Sequence, residues 1–144
     1  MDRRRFMYAG LAGSSAGLVA SADLLAAGRE CAGIPAGGLY YTRESPGRWK
    51  RKVNSHVPKV KVRRLDGTRL EVTVKTLHSF TGYRHYIVKH VLLDHGFQFI
   101  EEHMFDPERD DEARSQYDLH DVKGPLYVLS VCNRHDTWMA MTAT

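Results

Sequence analysis

A chain of 144 residues has room for one domain of ordinary size, and hydrophobic and charged fractions of 42% and 26% are those of a folding chain, not a disordered one. The formal net charge of +4 is no nucleic-acid footprint: without Asp2, Arg3, Arg4 and Arg5, the 21 basic and 17 acidic residues become 18 and 16. Two cysteines, Cys31 and Cys132, are too few for a disulfide framework or a four-cysteine metal site, so the eight histidines carry the signal.

Residues 1–22 open on an arginine run, continue through a weakly apolar stretch broken by Gly10, Gly13 and Gly17, and close on Ala20-Ser21-Ala22. This pattern predicts a twin-arginine export signal with a small-residue cleavage site, and hence a periplasmic or otherwise extracytoplasmic protein. The run is too short and too glycine-rich for a stable membrane span after cleavage. Residues 23–49, punctuated by Gly33, Pro35, Gly37, Gly38, Pro46 and Gly47, read as a linker or extended arm, with Cys31 a free thiol or a contact between chains.

Residues 50–144 read as one all-β domain. Val60 and Val62 alternate with basic residues, Asp66-Gly67 signals a two-residue hairpin turn, and Leu70, Val72 and Val74 resume the period of two. Residues 86–93 form a denser apolar strand, and residues 97–100 alternate again. Residues 106–114, charged and containing Pro107, read as a surface loop; residues 126–132 and 138–141 supply further strands. About seven short strands with no long amphipathic helix predict an immunoglobulin-like antiparallel β-sandwich.

The chemistry concentrates in Cys132-Asn133-Arg134-His135, where a thiolate and an imidazole three positions apart at a strand end suit a transition metal. Upstream stand His56 in Asn54-Ser55-His56-Val57-Pro58, then His78 and His85 bracketing a short loop. His90, His95, His103 and His120 fit no such pattern. Read as bare residues, Cys132, His135 and Met139 with His85 or His90 also match the donors of a cupredoxin-like copper electron carrier, although such a site needs only two histidines.

The order His-x-Pro, two histidines around a loop, then Cys-Asn-x-His resembles the superoxide reductase family, the iron domain of desulfoferrodoxin and neelaredoxin. The resemblance runs from about Asn54 to the C-terminus and is to the single-iron neelaredoxin type. It implies a seven-stranded immunoglobulin-like sandwich, one non-haem iron ion held by His56, His78, His85, Cys132 and His135, and reduction of superoxide to hydrogen peroxide. Electrons would come from an external donor such as a rubredoxin-like protein, and a homo-oligomer is compatible with the pattern.

Three departures stand out. The family's Glu-Lys before the first histidine is here Asn54-Ser55, which removes a cation that would attract an anion and leaves Arg51, Lys52 or Lys89 as substitutes. His78 and His85 are one residue further apart than the family's pair, around Gly82. The glycine usual after the last ligand is Asp136, whose carboxylate is expected to contact His135. Loss of the Glu-Lys pair also leaves open a metal-binding sensor without activity.

Overall fold

The computed structural model describes residues 36–144; the expected export signal and Cys31 lie outside them. Seven strands follow one another: β1 (Lys59–Arg64), β2 (Arg69–Thr76), β3 (Ile87–Leu93), β4 (Phe99–Met104), β5 (Ala113–His120), β6 (Leu126–Cys132) and β7 (Asp136–Thr142). All named pairs are antiparallel and form two sheets, β1-β2-β5 and β4-β3-β6-β7. The expected sandwich is therefore present. Among the described residues no helix is long and apolar enough to cross a membrane.

Alternation decides which face each strand buries. On β2, Leu70, Val72, Val74 and Thr76 point inward, and on β6 Leu126, Val128, Ser130 and Cys132 do the same. Leu92, Tyr117 and Leu119 complete the main core between the sheets. At one end of the sandwich the core continues as Ile87, Phe105, Ala113 and Cys132, and beside it Tyr41, Val57 and Trp138 form a third cluster. Cys132 thus belongs to the packed interior although it ends a strand.

Two local expectations need correction. The segment 106–114 is not loop throughout, because β5 starts at Ala113 and runs to His120 with a strict buried-exposed alternation. Its inward residues Ala113, Ser115, Tyr117 and Leu119 include one small and two polar side chains, so hydrophobicity alone hides the period. The β1–β2 connection is not a two-residue turn: β1 ends at Arg64 and β2 starts at Arg69, leaving residues 65–68 as the loop. There Asp66 Oδ1 accepts the backbone N–H groups of Thr68 and Arg69, both at 2.9 Å, and these bonds hold its carboxyl below the usual range.

The expected arm is described from residue 36 onward. Its described part is tied to the sandwich, since Tyr41 is buried, donates its N–H to Thr137 O at 2.9 Å and accepts from Met139 N at 2.8 Å. A 3-10 helix (Gly47–Lys52) and a single helical turn (Val53–His56) then lead into β1. Val57, extended because Pro58 follows, ends that turn.

His90 on β3 is fully buried, and burial pushes its imidazole down to about 3. The ring is therefore neutral in the fold, while in the unfolded chain it protonates near its ordinary value of about 6.5. Between these values the unfolded state holds the extra proton, so stability falls as pH drops below about 6.5. Denaturant titrations at successive pH values should show the wild type losing roughly 1.4 kcal/mol more per pH unit between about pH 4 and 6 than His90→Gln does.

Candidate metal centre

Three chain segments bring five donors to one end of the sandwich. His56 Nε2, His78 Nε2, His85 Nε2, His135 Nδ1 and Cys132 Sγ face one another, and the donor atoms of these residues lie within 4.8 Å. All five residues singled out as ligands in the sequence are brought together.

His56 ends the helical turn and is buried. Its Nδ1 lies 2.8 Å from Ser55 Oγ and 3.2 Å from Lys52 O, and Ser55 Oγ donates to the same carbonyl at 3.1 Å. The proton on Nδ1 is thus engaged, which leaves the Nε2 lone pair free to point inward. Ser55 therefore orients a ligand instead of lining the cluster. Asn54 turns the other way, its Oδ1 accepting from Arg43 Nη1 at 3.4 Å.

His78 follows the end of β2, and His85 closes the loop after it. Gly82 takes the left-handed conformation at φ +56°, and its carbonyl accepts the His85 N–H at 3.3 Å while Thr81 N donates to His85 O at 2.9 Å. The additional residue between the two histidines is absorbed in this turn. Asn133 then joins the two ligand loops: its Nδ2 donates to Tyr83 O at 3.0 Å and its Oδ1 accepts from Tyr86 N at 3.2 Å. The asparagine inside the Cys-x-x-His motif is a brace that the spacing of ligands alone did not reveal.

Cys132 ends β6 and is 4% exposed; burial pushes its thiol up, against the Arg134 and His135 N–H groups that favour the thiolate. Its Sγ stands 3.6 Å from His135 Nδ1 and 4.0 Å from His78 Nε2. The His135 carbonyl accepts from Trp138 Nε1 at 2.8 Å, and the Trp49 ring meets the His135 ring edge-on at 4.7 Å.

Asp136 makes no hydrogen bond to the His135 ring, although its charge acts to raise that imidazole as expected. Its Oδ2 accepts instead from Trp49 Nε1 at 2.8 Å and Arg48 Nη2 at 2.6 Å, and these partners, Trp49 first, lower its carboxyl. Its backbone sits at φ +61°, where a non-glycine residue is strained by about 1 kcal/mol. The two hydrogen bonds offset that strain and pin the 3-10 helix over His135. The pairing of Trp49 with Asp136 is what sequence reading missed, the two being 87 positions apart.

The four imidazoles meet one another through their ring nitrogens. His56 meets His135, His135 meets His85, and His85 meets His78, each at 3.0 Å. Such a contact is a hydrogen bond where one nitrogen carries the proton and a repulsion where both present lone pairs, which a cation between them relieves. Nitrogens bound at right angles about 2.1 Å from one ion are themselves about 3.0 Å apart, so the spacing suits a metal. The rings of His56 and His85 are near-stacked across the cluster with centroids 6.3 Å apart, whereas the neighbouring pairs lie at 4.4 to 4.8 Å.

Burial pushes His56 down to about 3 and His78 to about 4, and it lowers His85 and His135 as well, so all four are neutral at pH 7. The charge of Lys52, half-buried in the 3-10 helix, acts on every one of the five donor residues. Lys89 is engaged elsewhere, its Nζ 2.8 Å from Glu102 Oε2. Met139 pairs with Leu129 in the β6–β7 ladder, on the sheet face opposite that of Ser130, Cys132 and Trp138. A cupredoxin-like set including Met139 or His90 is therefore not assembled.

No protein-family model matches the sequence, and no curated protein matches it. Solved structures do. A variant of the superoxide reductase (neelaredoxin) from Ignicoccus hospitalis aligns with a TM-score of 0.65 at 24% identity, covering 74% of this chain and 94% of that one. The superoxide reductase from Nanoarchaeum equitans gives 0.55 at 17%, over 63% and 94%. A superoxide reductase in its oxidised state gives 0.53 at 26%, over 64% and 90%. The protein is thus a β-sandwich with a metal-binding type of His/Cys cluster at one end. Its structure matches the superoxide reductase (neelaredoxin) family, at distant identity, and the cluster is of the four-histidine, one-cysteine kind.

Removing the Asn133 brace should separate the two ligand loops without touching a donor atom. Asn133→Ala is expected to lower metal affinity about 10- to 100-fold, read by competition with a chelator.

Proposed function

We propose that this protein is a mononuclear non-haem iron oxidoreductase that reduces superoxide to hydrogen peroxide. The observation that carries the reading is the convergence of four neutral imidazoles and one cysteine within 4.8 Å on the sandwich of superoxide reductases. Imidazole and thiolate together suit several transition metals, but a structural zinc site is almost always closed with four ligands, and five donors exceed that number.

His56, His78, His85 and His135 would hold the ion through nitrogen, and Cys132 through sulfur. Bound as iron(II), the ion would supply one electron to superoxide, which leaves as hydrogen peroxide after taking up two protons; an external donor returns the electron.

The remaining steps belong to the chain. Lys52 raises the positive potential around the cluster and draws the anion in, in place of the cation absent at Ser55. Ser55 and the Lys52 carbonyl fix the His56 tautomer, and Asn133 keeps the two ligand loops together. Trp49, held by Asp136, covers one edge of His135 and limits water there. Export by the twin-arginine route would place this activity outside the cytoplasm.

Purified protein should contain about one iron per chain and show a thiolate charge-transfer band that bleaches on reduction and is lost in Cys132→Ser. The reduced protein should yield one hydrogen peroxide for each superoxide consumed, without oxygen; a dismutase would yield half that amount. Iron binding without this turnover would favour the sensor reading. Lys52→Ala should keep the band while lowering the second-order rate with superoxide about tenfold and flattening its dependence on salt.

A further inference from the structure

A second polar cluster lies beneath the donors, inside the sandwich. Thr76 at the end of β2, His90 on β3, Ser115 on β5 and Ser130 on β6 are at most 3% exposed. They form one chain of hydrogen bonds: Ser115 Oγ to His90 Nδ1 at 2.8 Å, His90 Nε2 to Thr76 Oγ1 at 2.9 Å, and Thr76 Oγ1 to Ser130 Oγ at 2.9 Å. A single neutral tautomer satisfies all three, with the Ser115 hydroxyl donating to Nδ1, the Nε2–H donating to Thr76, and Thr76 donating to Ser130. The chain joins four strands and both sheets.

Its placement is what matters. Thr76 precedes His78 by two residues, and Ser130 precedes Cys132 by two. Along β6 that spacing puts Ser130 and Cys132 on the same inward face. On the other sheet the His78 N–H folds back to the Thr76 carbonyl at 2.8 Å, so the ligand's backbone is anchored to the residue that carries the bond.

Apolar contacts between two sheets are non-directional and tolerate sliding, whereas a hydrogen bond does not. Ile87, Phe105 and Ala113 around Cys132 fill space without fixing how far β2 stands from β6.

We infer that Thr76, Ser130, His90 and Ser115 are positioning residues for the metal centre, a buried bolt between the sheets that sets the separation of His78 Nε2 from Cys132 Sγ. This rests on the five-donor reading above but not on superoxide being the substrate. Three hydroxyls and an imidazole in this interior are costly unless fully paired, and at these positions a valine or alanine would pack more simply.

The test compares four substitutions in iron-loaded protein: Thr76→Val, Thr76→Ser, Ser130→Ala, and Val72→Ala, a core truncation on β2 outside the hydrogen-bond chain. Thr76→Val and Ser130→Ala should displace or weaken the thiolate-to-iron band and lower iron affinity about 10- to 100-fold, and Thr76→Ser should restore both. Val72→Ala should lower thermal stability while leaving band and affinity at wild-type values. Should Thr76→Val not fold, Ser130→Ala removes only one oxygen and carries the same comparison. Loss of stability in Thr76→Val and Ser130→Ala with an unshifted band and wild-type affinity would overturn the inference. Because the readout is the bound metal and not turnover, a wild type that binds iron without reducing superoxide refutes the proposed activity, and the band shifts still decide the positioning.

Discussion

Four neutral imidazoles converge through nitrogens 3.0 Å apart, with a cysteine sulfur beside them, and that convergence is what the rest of the site depends on. One proton per ring cannot give each of these nitrogens a separate partner outside the cluster, whereas a cation among them can be shared by all. The surroundings of the cluster serve to hold that convergence. The helical turn carrying His56 is braced on the outward nitrogen of its ring, and the loop carrying His78 and His85 is tied to the β6–β7 turn carrying Cys132 and His135.

These braces differ in physical kind. Ser55 and the Lys52 carbonyl act through a tautomer, fixing which nitrogen of His56 is free. Asn133 acts through the backbone, stitching the loop before β3 to the turn after β6. Asp136 acts through a side chain on the 3-10 helix, and its left-handed backbone is tolerated because Trp49 and Arg48 both meet its carboxylate. Below them the hydroxyl–imidazole chain through His90 joins the sheets from which two of the ligands emerge. A site assembled from remote segments needs such directional bonds, because apolar packing fixes volume better than it fixes angle.

The departures from the superoxide reductase pattern acquire meaning from this arrangement. With serine at position 55 the cluster still has a positive neighbour, since the charge of Lys52 acts on all five donor residues. The loop between His78 and His85 turns at Gly82 in the left-handed conformation. Aspartate in place of glycine after the last histidine keeps the backbone conformation that glycine favours and adds an anchor for the preceding helix.

The sequence by itself determined the chemical identity of the site and most of the strands. Histidine and cysteine are rare enough that five in family order stand out, and Val60, Val62, Leu70, Val72 and Val74 announce their strands by strict alternation. β5 was obscured because Ser115 and Ala113 occupy inward positions that hydrophobicity does not mark, and the role of Asp66 as a turn-former by side chain was hidden behind the glycine beside it. Only the tertiary structure decided what Ser55, Asn133, Asp136, Trp49 and Lys52 do, and that His90 belongs to a buried hydrogen-bond chain rather than to the ligands. Local pattern reports periodicity and residue type, whereas the partner of a hydroxyl or carboxylate is set by which distant segment the fold brings within 3 Å of it, as with Trp49 and Asp136.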